Sequence, residues 1–254
     1  MESINDFPKL ECPFVRKTYK VDHDDFKKHG SRLGMRSPEV RLVIPEINVG
    51  FEWVFQHEKT LASEKLDGSN VGLVTENGRL IHVQNRMNII DPLQVMSGKT
   101  FLIEGIFNAI DKNYVLKSGV QYGECLGPKL QCNKYKLPSH LWYPFTKARE
   151  SLRYNSFSKY EKSFWSWSEW FRLYLKSLFY CRNNKIPLLD MFTNPDVPFA
   201  EGVVFYNDEC KPTMSKLRRD MWFWHYSDKI KIFDLDDETV RYAKEKGIAI
   251  KGYD

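Results

Sequence analysis

The sequence lacks the features of membrane-spanning and disulfide-stabilised proteins. It has no apolar run of the roughly 20 residues that cross a bilayer, and no signal-like apolar core near its N-terminus. The five cysteines are scattered without a C-x-x-C pair, which disfavours a disulfide framework or a zinc site. We therefore expect reduced thiols, no membrane partner and a soluble protein of the cytoplasm (that of a host cell, if the protein is viral).

The composition that remains is that of a globular protein. Of the 254 residues, 42% are hydrophobic and 15% aromatic, and the net charge of +5 permits a nucleic-acid surface without requiring one. Many short strand patterns with two or three helical ones predict an α+β fold built on antiparallel sheets. We expect a single domain over residues 1–254. Its core would span about 53–224, with 1–50 as an extension packed on it and 225–254 as a short tail without an OB-fold.

The patterns of secondary structure are clearest in the middle of the chain. Residues 61–84 predict a strand, a turn, a second strand and a hairpin to a third strand. Apolar residues within 98–112 recur at helical spacing and predict an amphipathic helix. Further elements are predicted as strands over 120–127, 141–145, 199–206 and 213–218, and as a helix near 237–246.

Two other stretches have more than one interpretation. An aromatic stripe within residues 151–182 falls on one helical face, and we predict core packing in preference to a stacking platform for bases. The acids Asp22, Asp24 and Asp25 predict a solvated turn in preference to a metal site.

The stretch from Ser63 to Asn70 has the composition of a chemical site. It places Lys65 at the end of an apolar strand pattern and before the tight turn Asp67-Gly68. A bare K-x-D-G pattern is weak, because a solvated turn between two strands explains it as well. The strand ends downstream add charged residues in order: Glu124, Glu201, Lys216 and Arg218. Each alone is an ordinary surface charge, but together they could converge around the lysine.

The segment E-K-L-D-G-S-N, from Glu64 to Asn70, resembles motif I of the covalent nucleotidyltransferases, which include polynucleotide ligases and mRNA capping enzymes. Other motifs of that superfamily have counterparts in order: motif Ia at Asn85–Asn88, motif III at Tyr122–Gly127, motif IV at Glu201–Val204 and motif V at Lys216–Arg218. ATP-dependent RNA ligases of the T4 bacteriophage type are the most similar branch. Motif V usually ends in lysine, and Arg218 departs from it while keeping the charge and adding bidentate phosphate geometry.

This resemblance implies an adenylation domain that joins RNA ends with ATP. Lys65 would attack the α-phosphate of ATP and form lysyl-N-AMP. AMP would then pass to an RNA 5′-phosphate, and a 3′-hydroxyl would displace it. Catalytic roles are implied for Lys65, Glu201, Lys216 and Arg218, with Glu201 also holding Mg²⁺ or Mn²⁺. Nucleotide-binding roles are implied for Glu64, Asn70, Arg86, Glu124 and Phe145, with Glu124 at the ribose and Phe145 on the adenine face.

Three alternatives stay open. An mRNA capping guanylyltransferase would use GTP, and Asn70 together with Gly127-Pro128-Lys129 argues against it. An ATP-dependent DNA ligase would carry an OB-fold after motif V, where only about 36 residues follow Arg218. An inactive RNA-binding module would have no need of the lysine and the two acids. The sequence leaves open whether nicks or single-stranded ends are joined and what Asp67 does, and a monomer is the expectation.

Overall fold

The computed structural model of the protein describes residues 4–56, 58–91, 98–155, 157 and 161–253. They form two compact units. Unit 1 is drawn from Met1–Leu10, Leu61–Phe157 and Leu175–Val204, and unit 2 from Glu11–Thr60, Ser158–Tyr174 and Phe205–Asp254. The single domain expected over residues 1–254 stays a prediction. Across the described part of the chain, no helix is long and apolar enough to cross a membrane.

Short strands and helices succeed one another along the chain, which confirms the α+β prediction. The strands are β1 (Phe14–Lys20), β2 (Glu39–Ile47), β3 (Leu61–Lys65), β4 (Ser69–Glu76), β5 (Arg79–Asn85), β6 (Asn88–Ile90), β7 (Gly119–Leu126), β8 (Leu141–Pro144), β9 (Gly202–Tyr206) and β10 (Met214–Arg218). The α-helices are α1 (His23–His29), α2 (Trp53–Gln56), α3 (Thr100–Asp111), α4 (Phe145–Ser151), α5 (Phe164–Glu169), α6 (Leu178–Asn183) and α7 (Asp237–Glu245). The strands and helices predicted over 61–84, 98–112, 213–218 and 237–246 are therefore confirmed.

Unit 1 contains a five-stranded antiparallel sheet in the order β6-β5-β4-β7-β8. Helix α3 packs on one face of it through Leu102 and Ile106, which are fully buried. The approach is close at Gly105, where a Cβ atom would lie 2.7 Å from the Cys125 sulfur. Because side chains alternate along a strand, Asn70 and Glu124 on β4 and β7 point to the opposite face from Cys125.

The N-terminal segment lies on that opposite face of the sheet. The Ile4 N–H donates to the side-chain oxygen of Gln84 at 3.2 Å, and the Gln84 amide donates back to the Ile4 carbonyl at 2.9 Å. The Tyr122 hydroxyl donates to the Asn5 carbonyl at 2.6 Å. Tyr122 and Glu124 are two residues apart on β7, so the segment lies on the face that carries Glu124.

Two expectations about aromatic segments are corrected. The strand predicted to end at Phe145 ends at Pro144, and Phe145 begins helix α4. Proline has no N–H to continue a strand ladder, and it is favourable next to the first turn of a helix. The stripe within 151–182 does not form one helical face, because α5 passes into a π-helical turn, Trp170–Tyr174, and then into the β-bridge Lys176–Phe199 before α6. Its core packing is confirmed by the buried aromatic side chains: Trp167, Phe171 and Phe179.

Unit 2 is built on the antiparallel pair β1–β2 and an aromatic core. Phe55 stacks on Trp167 with ring centroids 4.8 Å apart, and Phe14 contacts both rings. The solvated turn predicted at the acid cluster is wrong. Asp22 caps α1 by accepting from two backbone N–H groups, while Asp25 is buried and forms an ion pair with Lys251.

Candidate active site

Lys65 and Glu201 meet at the ends of neighbouring strands in unit 1. Lys65 is the last residue of β3, and Glu201 directly precedes β9, the neighbour of β3. The Lys65 ammonium forms an ion pair with Glu201 and also donates to the Leu66 carbonyl at 3.3 Å. Their side chains are 22% and 19% exposed, so a ligand can still reach both. The convergence predicted for these two strand ends is present in the structure.

Gly68 allows the turn after the lysine to pack directly against β7. A Cβ atom at this position would lie 2.2 Å from the Cys125 carbonyl oxygen, far inside van der Waals contact. The same atom would be 3.0 Å from the Glu124 side chain. Only glycine therefore fits here, and the K-x-D-G pattern has a steric reason that a solvated turn would not require.

Glu124 is a buried acid whose protonation is set by its surroundings. Its side chain is directed to the same region as Lys65, and the residue is 9% exposed. Burial raises the pKa of the Glu124 carboxyl to about 8, and the charges of Glu201 and Asp67 act in the same direction. The Lys65 ammonium and a hydrogen bond from the Gly68 backbone oppose the rise in this pKa without cancelling it. At neutral pH the carboxyl is mostly protonated and can donate a hydrogen bond.

Asn70 lies directly opposite Glu124 in the β4–β7 ladder. Its side-chain oxygen is buried and has no hydrogen-bond partner among the described residues. A buried acceptor without a partner is costly, so a ligand hydroxyl or N–H at this position would be favourable. The Asn70 carbonyl accepts a hydrogen bond from Asn85 at 2.7 Å, which ties the start of β4 to β5. Arg86 follows at the exposed β5–β6 turn with a left-handed φ of 55°.

Phe145 is half-buried at the start of α4, and the N-terminal segment reaches its ring. The Phe7 and Phe145 ring centroids are 4.7 Å apart, with a tilt of 54° between the planes. Phe7 also contacts the Tyr122 ring at 5.5 Å. Stacking of Phe145 on a base stays a prediction.

Glu64 lies on the other side of β3 from Lys65. It is 2% exposed, and its two oxygens accept hydrogen bonds from the Ser177 hydroxyl at 2.6 Å and the Phe179 N–H at 2.7 Å. Burial raises the pKa of the Glu64 carboxyl to about 7, against the effect of these hydrogen bonds. Its observed partners therefore belong to the start of α6, while a contact with the nucleotide stays a prediction.

Lys216 and Arg218 lie on β10 in unit 2. The Lys216 N–H donates to the Glu11 carbonyl at 2.8 Å, and Arg218 forms an ion pair with Asp220 at 2.7 Å. Alternate residues of a strand share a face, so the two cations point the same way. Their action on the nucleotide stays a prediction.

Two residues near the lysine were not found from the sequence. The Tyr135 hydroxyl accepts a hydrogen bond from the Asp67 N–H at 2.8 Å, and the Lys134 ammonium lies 3.6 Å from the Asp67 carboxylate. Both residues follow a loop whose sequence has no periodic pattern. The hydrogen bond between Asp67 and Tyr135 joins residues that are 68 positions apart in the sequence. The spacing of residues in the sequence therefore could not predict that Tyr135 and Lys134 lie near the lysine.

The few carboxylates of the site could bind a divalent ion only together with the phosphates of a nucleotide. Within the described ranges, no group of three or more His, Cys, Asp or Glu residues could hold a metal ion alone. Mg²⁺ commonly takes one or two carboxylates and completes its shell with water and substrate phosphates. Glu201, beside Lys65 and partly exposed, fits such a shared shell.

The chain belongs to the RNA ligase family, whose model matches residues 58–221, about two thirds of the sequence. The matched range includes all the segments that resemble motifs I, Ia, III, IV and V. Among curated proteins, none matches the chain. The T4-type branch stays a prediction.

Solved structures of Naegleria gruberi RNA ligase are similar to the chain at low identity. A mutant of that enzyme with ATP and Mn is 17% identical, with a TM-score of 0.34, over 63% of this chain and 49% of the other. An apo mutant is 13% identical, with a TM-score of 0.33, over 84% of this chain and 61% of the other. The chain thus spans about half to three fifths of the length of these ligases.

Proposed function

We propose that the protein is an ATP-dependent RNA ligase that joins a 3′-hydroxyl to a 5′-phosphate through a lysyl-N-AMP intermediate. The observation that carries the proposal is the position of Lys65. It lies directly before a sterically fixed turn, paired with Glu201 and near the buried Glu124, within the segment that matches the RNA ligase family.

The first step is adenylylation of Lys65. The ammonium must lose a proton before it can attack, because only the neutral amine is a nucleophile. The proton would pass to water, because the Glu201 carboxylate that pairs with Lys65 would be needed to hold the divalent ion. A bond then forms between Nζ and the α-phosphorus of ATP, and the bond from phosphorus to the bridging oxygen breaks. Pyrophosphate leaves with that electron pair, and the nitrogen releases a second proton as the phosphoramidate forms.

The second and third steps move AMP through the RNA. An oxygen of the RNA 5′-phosphate attacks the same phosphorus, the P–N bond breaks and the lysine regains its protons. The 3′-hydroxyl of the other RNA end then attacks the activated 5′-phosphorus. It loses its proton, a phosphodiester forms and AMP leaves. Activation is needed because a phosphate oxygen is a poor leaving group, whereas AMP is a good one.

The remaining residues would bind and orient the nucleotide. Protonated Glu124 can donate to a ribose hydroxyl, and the buried oxygen of Asn70 can accept from one. Phe145 would stack on adenine, and Arg86 would hold a phosphate. Lys216 and Arg218 would stabilise charge on the phosphoryl oxygens. A divalent ion, held by Glu201 and phosphate oxygens, would neutralise the charge of the triphosphate.

The test is covalent labelling of the protein. Incubation with Mg²⁺ and α-labelled ATP should transfer label to the denatured chain, and Lys65→Ala should abolish the transfer because the nucleophile is gone. Lys244→Ala, which removes an exposed lysine on α7, is the matched control and should label as the parent does. A labelled Lys65→Ala would show that another residue is the acceptor. Absence of label from ATP in the parent would refute the ligase, and label from GTP alone would indicate capping.

Ligation itself needs a second measurement. The parent should convert 5′-phosphorylated RNA into a longer, phosphatase-resistant product in the presence of ATP. Nicked duplex and single-stranded RNA are offered separately, with RNA or DNA on the 3′ side, so that the preferred end is identified. If the protein is labelled but forms no joined product, it is a nucleotidyltransferase and not an RNA ligase.

A further inference from the structure

The peptide group between Leu66 and Asp67 is held from both ends. Its carbonyl oxygen accepts a hydrogen bond from the Lys65 ammonium at 3.3 Å. Its N–H donates to the Tyr135 hydroxyl at 2.8 Å. A trans peptide is planar, with its C=O and N–H directed to opposite sides. The orientation that Tyr135 imposes on this group is therefore transmitted directly to the oxygen that holds the lysine.

Tyr135 is itself held firmly. The residue is 2% exposed, and its ring packs edge-on against Phe179 with centroids 5.0 Å apart. Its carbonyl accepts a hydrogen bond from Asn184 at 3.2 Å. Phe179 is also the residue whose N–H binds Glu64, the neighbour of Lys65 on β3. The chain is thus held at Glu64 on β3 and at Asp67 in the turn, on both sides of the lysine.

The loop that leads to Tyr135 is locked in an unusual conformation. Gln131, Cys132 and Asn133 all have left-handed φ angles, of 45°, 53° and 49°. Non-glycine residues adopt this region only where surrounding contacts compensate the strain. Here the Asn133 side chain bridges the loop, donating to the Leu137 carbonyl at 2.9 Å and accepting from the Leu137 N–H at 3.0 Å. A loop held in this way can support a neighbouring turn rigidly.

We propose that Tyr135 is a positioning residue for adenylylation, because its hydroxyl oxygen fixes the Leu66–Asp67 peptide and with it the approach of Lys65 to the α-phosphorus. The proposal rests on the proposed lysyl-N-AMP chemistry. Tyr135 acts through the peptide and needs no contact with ATP. It should therefore affect the rate of the step and leave the affinity for ATP unchanged.

The test is single-turnover labelling of Tyr135→Phe over a range of ATP concentrations. The substitution removes only the hydroxyl and leaves the Asp67 N–H without its acceptor. The limiting rate constant should fall about tenfold or more, because small misplacements of a nucleophile are costly. The half-saturating ATP concentration and the final labelled fraction should stay at the parent values. Tyr242→Phe, which removes the hydroxyl of a buried tyrosine in unit 2, is the control and should keep the parent rate.

Other outcomes overturn the proposal. A lower labelled fraction with a parent rate constant would mean that Tyr135 only maintains the fold. A raised half-saturating ATP concentration with a parent limiting rate would mean that it only serves binding. If Tyr135→Phe does not fold, Asn133→Ala is tested instead, because it removes the side chain that bridges the same loop. This variant should also slow labelling. A limiting rate constant for Asn133→Ala equal to that of the parent would refute the proposal. Absence of label in the parent would instead refute the proposed function, and the inference with it.

Discussion

At the scale of single residues, the site depends on a few contacts that tolerate no extra atom or charge. Gly68 is required by the proximity of the Cys125 carbonyl, and Glu124 is kept protonated by burial beside two other acids. In the proposed reaction, a protonated Glu124 would place no additional negative charge next to the triphosphate that Lys65 attacks. Burial therefore makes this acid compatible with an anionic substrate at neutral pH.

Gly68→Ala should impair adenylylation severely. The added Cβ would meet the Cys125 carbonyl at 2.2 Å, so the turn must move away from β7 and carry Lys65 with it. We expect the labelling rate to fall by about a hundredfold, the cost of a displacement near 1 Å. Gly98→Ala, at a glycine whose Cβ would meet no atom within 4 Å, is the control. Equal labelling rates for the two variants would contradict this account of the turn.

At the scale of the elements, α3 and the central sheet depend on a close approach. Gly105 brings the helix backbone against β7 and β8, with Cys125 and Trp142 as its neighbours. The helix starts without a side-chain cap, so its stability comes mainly from packing on the sheet. This contact lies on the sheet face opposite to Glu124. The face that packs on α3 is therefore not the face that carries the candidate site residues Asn70 and Glu124.

Gly105→Ala should destabilise unit 1 and leave the chemistry of Lys65 in place. The Cβ would lie 2.7 Å from the Cys125 sulfur and 3.2 Å from the Trp142 backbone nitrogen, which overpacks the interface. Such overpacking costs about 1–3 kcal/mol, more than the helix propensity of alanine returns. Urea unfolding followed by tryptophan fluorescence measures the loss. Unchanged or raised stability would show that the helix can shift freely.

The sequence was sufficient to predict most elements, because short apolar runs and turn residues report on local structure. The strands around Lys65 and the helix α3 follow from alternation and helical spacing alone. The aromatic residues before Phe145 predict that the strand continues to it, whereas the structure ends β8 at Pro144 and begins α4 at Phe145. The partners of Glu64 and Asp67 could not be predicted, since they depend on loops that only the tertiary structure brings to β3.

At the scale of the whole molecule, buried acids make stability depend on pH. Burial raises the pKa of the Glu64 carboxyl to about 7 in the folded protein, from its ordinary value of 4.5. Below pH 4.5 the carboxyl is protonated in both states, and it contributes no pH dependence. As the pH rises from 4.5 to 7, the unfolded chain gives up its proton first. The folded state therefore loses stability over this window.

Glu64→Gln should reduce this pH dependence. The amide keeps an acceptor for the Ser177 hydroxyl or the Phe179 N–H, but it cannot ionise. Between pH 5 and 7, the parent should lose roughly 2 kcal/mol more of its free energy of unfolding than the variant does. Urea unfolding at pH 5 and pH 7 measures this loss in the parent and in the variant. Subtracting one loss from the other cancels the contributions of all other titrating groups. Equal losses in both proteins would mean that Glu64 is already ionised in the folded state.

The position of the first residues has a practical consequence for handling the protein. Ile4, Asn5 and Phe7 lie on the sheet face that carries Glu124, with Phe7 against Phe145. A purification tag fused at the N-terminus would be joined only a few residues before Ile4 and Phe7, close in sequence to the segment that contacts Phe145. Labelling experiments on this protein should therefore use material without an N-terminal tag.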